Sequence, residues 1–346
     1  MNSIASVTGG VDTHLDVHVA AALDQRGGLL GTRSFPTTQA GYRSLVGWLR
    51  GFGQIALVGV EGTGSYGVGL ARHLRAEGVA IVEIDRPNRA KRRQKGKSDT
   101  LDAISAARAA HSGDATGAAK TRDGNVEAIR VLRVARVSAL KARTQALNQL
   151  RSLICTAPDE LRARLRDLSV AELATTTAGL RPGTSSGVET ATKLALRSLG
   201  RRVKALEAEV ADLDAVLRPL VLATAPKLVA HYGVGTDTAA ALLVAAGDNP
   251  SRLRSEATFA RLCGAAPIPA TSGKTQNRHR LHRGGDRQAN SALWHIALTR
   301  MSSDPKTRAY VERRFDEGLS KREIMRCLKR YIARELFPDL PHEILA

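Results

Sequence analysis

The chain has 346 residues, 43% of them hydrophobic, which supports two domains with real cores and argues against a disordered chain. Fifty-two Lys and Arg face thirty-three Asp and Glu, a formal charge of +19 whose field attracts polyanions and points first to nucleic acid, with a ribosome-associated protein as the plainer reading. The apolar run near Ala239–Ala246 falls short of the ~18 residues that span a bilayer, MNSIASVTGG lacks the parts of a signal peptide, and three scattered cysteines without a CxxC pair exclude a zinc knuckle or a disulfide framework.

A reducing, cytoplasmic and nucleoid-associated location is therefore expected. Aromatic residues make up only 3%, which argues against a broad stacking sheet for single strands and leaves phosphate contacts to carry most of the binding.

Residues 7–115 read as an α/β domain. Apolar runs at Val17–Ala22, Ile55–Val60 and Val79–Ile84 predict strands, with helices from Gln39 to Leu49 and from Tyr66 to Ala76 between them. A Gly27-Gly28 turn joins two early strands, and Ser98 is the expected N-cap of a further helix. Asp12 is expected just after a short strand in GGVDTH, Glu61 at the end of a strand in ALVGVEGTGSYG, and Asp99 and Asp102 at a helix start in KSDTLDA. The i,i+3 spacing puts the two aspartates on one helical face. Strand ends and a helix start can converge on one sheet edge, where four hard oxygen donors suit one or two Mg²⁺ ions. Each acid alone reads equally as a cap or a solvated residue, and aspartates in a first turn also suit the helix dipole. Arg89, Arg92, Arg93 and Lys97 belong to a basic run just before Asp99, suited to a phosphate backbone or simply to a solvated face. The early VDxxxDxxxA stretch also opens actin-like ATPases, but neither a P-loop nor a Rossmann pattern is present.

Residues 120–220 read as a helical connector. Arg130, Arg133 and Lys141 lie in its first, basic helix. The second carries Leu196, Leu199, Val203, Leu206, Val210, Leu213, Leu217 and Leu220, a heptad seam that suits a coiled coil between chains or a hairpin within one. Arg181–Gly187 reads as a flexible loop between the helices.

Residues 221–340 read as a mostly helical domain. Gly233 and Gly235, in YGVGTDTAAALLVAAGD, give a helix–hairpin–helix-like segment whose backbone can approach a phosphate. A long polar loop, PIPATSGKTQNRHRLHRGGDRQAN, carries Lys274, Arg278, Arg280, Arg283 and Arg287 around Ser272. A serine among cations, with Gly273 beside it, can attack phosphorus once activated; otherwise it is a turn serine. His279 and His282 lack neighbours of ligand type and read as phosphate contacts or solvated residues.

In their order, GVDTHLDVH, VGVEGTGSYG, KSDTLDA, ALNQLRSL, GVGTDTAAALLVAAGD and LCGAAPIPATSGKTQNRHRLHRGGDRQANSAL resemble the IS-one-ten family of DEDD insertion-sequence transposases, the bridge-RNA-guided serine recombinases, from about Gly10 to about Phe337. The resemblance implies a RuvC-type, ribonuclease-H-like N-terminal domain, in which Asp12, Glu61, Asp99 and Asp102 form a catalytic, Mg²⁺-binding tetrad. It implies a coiled-coil connector for assembly and a C-terminal transposase domain with Ser272 as nucleophile. It also implies donor and target DNA, a structured guide RNA, and a homo-oligomer, dimer or tetramer, whose tetrad and serine come from different subunits; no membrane is involved. A metal-dependent junction nuclease and a non-catalytic RNA-binding scaffold are the rival functions.

Overall fold

A computed structural model describes residues 5–84, 98–115, 117–184, 186–249, 253–269, 271, 279–281 and 284–340. These fall into two compact units: residues up to Gly124 with Ala246–Phe259, and Asn125–Ala245 with Ala260–Leu340. Most of the expected connector and C-terminal domain falls in the second unit, whereas residues 120–124 and 246–259 belong to the first.

The first unit is built on β1 (Ser6–Thr13), β2 (Val17–Leu23), β3 (Leu29–Pro36), α1 (Gln39–Arg50), β4 (Gln54–Glu61), α2 (Val68–Ala76), β5 (Ile81–Ile84) and α3 (Asp99–His111). Its five strands lie in the order β3-β2-β1-β4-β5. β1, β2 and β3 form an antiparallel meander, and β4 and β5 run parallel to β1. The short strand expected before Asp12 and the pair expected about Gly27-Gly28 are β1, β2 and β3, but Asp12 lies inside β1 rather than after it. The second helix begins at Val68, two residues later than expected.

Strand alternation divides the sheet into two faces. Val7, Val11, Val58 and Val60 pack with Leu45, Leu49, Leu70 and Leu74 of α1 and α2. The opposite face carries α3, whose Ala103, Ala106, Ala107 and Ala110 are buried. Gly10 and Gly59 are paired neighbours on β1 and β4, and they let this helix lie almost directly on the sheet. A Cβ at Gly10 would stand 2.0 Å from the Ala107 nitrogen, and one at Gly59 would stand 2.8 Å from the Ala106 oxygen.

The second unit contains a long antiparallel pair, α4 (Asn125–Cys155) and α7 (Val188–Thr224), with α5 (Asp159–Leu165) and α6 (Val170–Ala178) between them in sequence. Leu147, Leu150 and Ile154 pack in one core with Leu196 and Val203, so the heptad seam is covered at this end within the chain. Arg136 pairs with Asp214 and Arg143 with Glu207, a register that fixes the antiparallel sense. Next come α8 (Pro226–Ala230), α9 (Thr236–Ala246), α10 (Glu256–Leu262), a two-stranded ribbon of β6 (Pro267–Pro269) and β7 (His279–Leu281), and finally α11 (Arg287–Ser303), α12 (Pro305–Asp316) and α13 (Lys321–Leu336). No helix among the described residues is long and apolar enough to cross a membrane.

Candidate active site

The sheet register places the acids. Asp12 lies two residues beyond Gly10 and Glu61 two beyond Gly59, so both carboxylates rise from the face on which α3 lies. β1 and α3 run past each other in opposite senses. Thr8 meets His111 at 3.3 Å near one end, Gly10 meets Ala107 in the middle, and the first turn of α3 thereby comes to Asp12. That turn carries Asp99 and Asp102. Ser98 holds the N-cap position in extended conformation, but its side chain makes no capping bond; the Asp102 N–H donates to the Ser98 carbonyl at 3.0 Å.

Asp12 and Asp102 are buried, Glu61 is half-buried and Asp99 is exposed. Thr13 donates its hydroxyl to the Glu61 carbonyl at 2.8 Å, tying the ends of β1 and β4 together. One donor atom each from Asp12, His14 and Asp99 lies within 4.8 Å of the others. His14 bridges the two acids, with Nδ1 3.7 Å from Asp12 and Nε2 3.7 Å from Asp99. The sequence reading missed His14, although it stands in GVDTH two residues after Asp12; a histidine in a strand–loop segment carries no spacing signal of its own. Among the described residues this donor group comprises the buried Asp12, the exposed Asp99 and His14 between them, without Glu61 or Asp102, and its two carboxylates are hard donors of the kind that suits Mg²⁺.

Beneath this corner His18 is fully buried and stacked on Tyr42, with ring centroids 5.8 Å apart. Burial, and then the charge of His14, holds its imidazole down at about 4.

The expected basic contacts do not share one environment. Arg89, Arg92, Arg93, Lys97, Lys274, Arg278 and Arg283 lie outside the described residues, as do Ser272, Gly273 and His282. Arg130 and Arg133 are engaged within the second unit: Arg130 donates to Glu127 at 2.8 and 2.6 Å, and Arg133 stands 3.6 Å from Asp237. Lys141 on α4 and Arg287 at the start of α11 are exposed. Arg280 belongs to β7, where it pairs with Ile268. Gly233 turns the chain between α8 and α9 at φ +78°, a conformation that favours glycine, and open space surrounds the Cα of Gly235.

The stem of the polar loop is held from both sides. The Asp286 N–H donates to the Leu262 carbonyl at 2.7 Å, and Gly285 approaches Gly264 so closely that a Cβ would stand 2.7 Å from its nitrogen. Asn290 on α11 donates to the Cys263 and Gly264 carbonyls at 2.8 and 3.3 Å and accepts from the buried Lys329 at 3.1 Å. Burial, then the neighbouring Arg326, lowers the pKa of this lysine. Asp286, the lone acid of the loop, caps α11 by accepting from Gln288 and Ala289. Sequence reasoning found the loop but not this stem, because Asn290 and Lys329 are 39 residues apart.

Two blocks of the chain match models of known protein families. A family model described as transposase matches residues 9–157, and another described as transposase IS116/IS110/IS902 family matches residues 225–312. Together they cover more than half of the chain. It belongs to the IS116/IS110/IS902 family of transposases. Among similar proteins in this group of elements is the insertion element IS110 uncharacterized 43.6 kDa protein of Streptomyces coelicolor, 33% identical over 145 residues, covering 42% of this chain and 34% of the relative. The insertion element IS900 uncharacterized 42 kDa protein of Mycobacterium paratuberculosis is 30% identical over 122 residues, covering 35% of this chain and 31% of the relative. The chain thus spans about a third of the length of the curated relatives it matches. The first family block contains all four acids, and the second contains the polar loop.

Proposed function

We propose that this transposase cleaves and rejoins DNA at the ends of an insertion sequence, with Asp12, Glu61, Asp99 and Asp102 as its metal-binding carboxylates and Ser272 as its nucleophile. The observation that carries the reading is the meeting of Asp12 from β1 with Asp99 from the first turn of the glycine-seated α3, bridged by His14, in a chain of this family. The strand order β3-β2-β1-β4-β5, with three antiparallel strands followed by two parallel ones, supports a ribonuclease-H-like, RuvC-type first domain.

A bound Mg²⁺ supplies Lewis-acid stabilisation of charge on the phosphate oxygens. Asp12 and Glu61 hold one side of the site from the sheet, Asp99 and Asp102 hold the other from α3, and His14 fixes the Asp12–Asp99 spacing. The Ser272 oxygen bonds to phosphorus and gives up its proton, the bond to the 3′ oxygen breaks, and that oxygen leaves as a protonated 3′-hydroxyl. A 3′-hydroxyl of another strand then attacks the phosphoserine. This restores a diester and a free serine without an external energy source. A structured guide RNA pairs with donor and target DNA, and a dimer or tetramer supplies acids and serine from different subunits. The charge of +19 supports binding of both nucleic acids.

The test is a denaturing gel of full-length protein with labelled donor and target DNA, Mg²⁺, and RNA transcribed from sequence flanking the gene. A protein–DNA adduct that vanishes with Ser272→Ala and weakens with Asp12→Asn is the expected result. Hydrolysed ends with no adduct would replace recombination by a junction nuclease. An adduct that survives Ser272→Ala would remove the serine from the mechanism.

A further inference from the structure

The chain holds only five tyrosines, and three of them, Tyr232, Tyr310 and Tyr331, line one pocket of about 430 Å³ in the second unit. The pocket lies between the turn before α9 and helices α11, α12 and α13, and its lining includes no residue assigned above to metal or nucleophile. Its floor is apolar, with Leu328 and Ile332. Tyr310 and Tyr331 meet edge to face, ring centroids 5.8 Å apart at 88°. Tyr331 is 52% exposed and Tyr232 54% exposed, so aromatic surface faces solvent.

The charges around these rings are arranged for a polyanion. Glu335 and Asp304 also line the pocket, but both are engaged. Arg300 grips Glu335 at 2.6 and 2.9 Å, with His231 on the same carboxylate at 3.0 Å. Asp304 caps α12, accepting from the Thr307 N–H at 3.0 Å and from its hydroxyl at 2.5 Å. Lys306 stands at the lip, and Arg313 and Arg314, two cations that share the single carboxylate of Glu317, lie 5.5 and 5.9 Å from the Tyr310 ring. From Pro305 to Leu336 there are ten Lys and Arg against five Asp and Glu. Aromatic rings set among cations are the recognition chemistry of unpaired nucleotides, in which a base stacks on a ring and phosphates meet the charges. A second copy presenting this same basic face would be repelled, which disfavours a symmetric contact here.

We propose that this pocket takes an unpaired base of a nucleic-acid strand, stacked on Tyr331 beside Tyr310, with its phosphates beside Lys306 and Arg313. A base within a duplex has both faces covered and cannot enter. The pocket is thus a selector for looped-out or single-stranded nucleotides. The inference rests on the nucleic-acid-binding part of the proposed function.

The experiment measures fluorescence anisotropy of full-length protein with labelled mixed-sequence strands of about 15 nucleotides, as DNA, as RNA and as DNA duplex. Tyr331→Ala is expected to weaken single-strand binding by about 5- to 100-fold and to leave duplex binding within about twofold. Tyr331→Phe, which keeps the ring, is expected to bind single strands like the wild type. A larger loss on RNA than on DNA, or the reverse, identifies which strand occupies the pocket. Equal weakening of duplex and single strand, or no weakening of either, would overturn the pocket and leave the proposed function standing. Failure of the wild type to bind any of the three would overturn both. Sedimentation velocity completes the test: Tyr331→Ala dissociating an oligomer would make the pocket a subunit contact and overturn the proposal.

Discussion

His14 joins a buried aspartate on a strand to an exposed one on a helix at 3.7 Å each, so its removal loosens the spacing of both. His14→Ala is expected to weaken metal affinity about 10- to 100-fold, as loss of an orienting partner generally does, and a Mn²⁺ titration reads it. An unchanged titration would leave His14 outside the site. His18 acts on stability instead. Its folded pKa of about 4 lies below the ordinary histidine value of 6.5, so the unfolded chain binds more protons between these two values. Stability is therefore full above about pH 6.5 and falls as acid approaches pH 4, by about 2–3 kcal/mol for this residue. Thermal unfolding across that window should show the loss, and His18→Phe should flatten it. At this scale the four acids proposed as ligands stand out in the sequence at expected strand ends and a helix start, although Asp12 lies within β1. The partnerships of His14, Asn290 and Lys329 do not, because they depend on residues brought together only by the fold.

Between elements, the seating of α3 on β1 and β4 does most to position the site. Gly10→Ala would set a methyl 2.0 Å from a backbone nitrogen of α3 that has no side-chain freedom to yield. Destabilisation by about 1–3 kcal/mol is expected, together with loss of metal binding, because the helix carrying Asp99 and Asp102 must move. Gly47 on α1 provides the contrast. A Cβ there meets nothing within 4 Å, so Gly47→Ala should stabilise by about 0.5–1 kcal/mol and leave metal binding unchanged. Denaturant melts of the two variants check the pair. Three strands of the first unit, β2, β4 and β5, were readable from short apolar runs. Gly10 was not readable as a seat for a helix, since a glycine in a strand equally marks a bulge or a turn. The heptads of α7 were legible as a seam but not as a partner choice. A 3–4 spacing is the same whether the facing helix is α4 or another chain, and only Leu150 and Ile154 packed with Leu196 decide it for this end of the hairpin.

For the whole molecule, the excess of 52 basic over 33 acidic residues predicts binding that is steeply weakened by salt. Not every cation contributes. Arg136 is largely covered and pairs with Asp214 at 2.5 Å, so Arg136→Ala should destabilise the α4–α7 pair by about 1–3 kcal/mol with little change in the salt slope. Exposed Lys141 should behave oppositely: Lys141→Ala should leave stability unchanged and reduce the slope by about one. Composition gave the charge, but only the ion pairs separate cations that hold the fold from those facing solvent.

The most direct test of the central proposal, that Asp12, Glu61, Asp99 and Asp102 bind a metal ion, is Mn²⁺ binding to the full-length protein followed by electron paramagnetic resonance. Saturable binding that is competed by Mg²⁺, and lost in both Asp12→Asn and Asp102→Asn while the fold is retained, is the predicted result. Binding unchanged in these two folded variants would contradict the account.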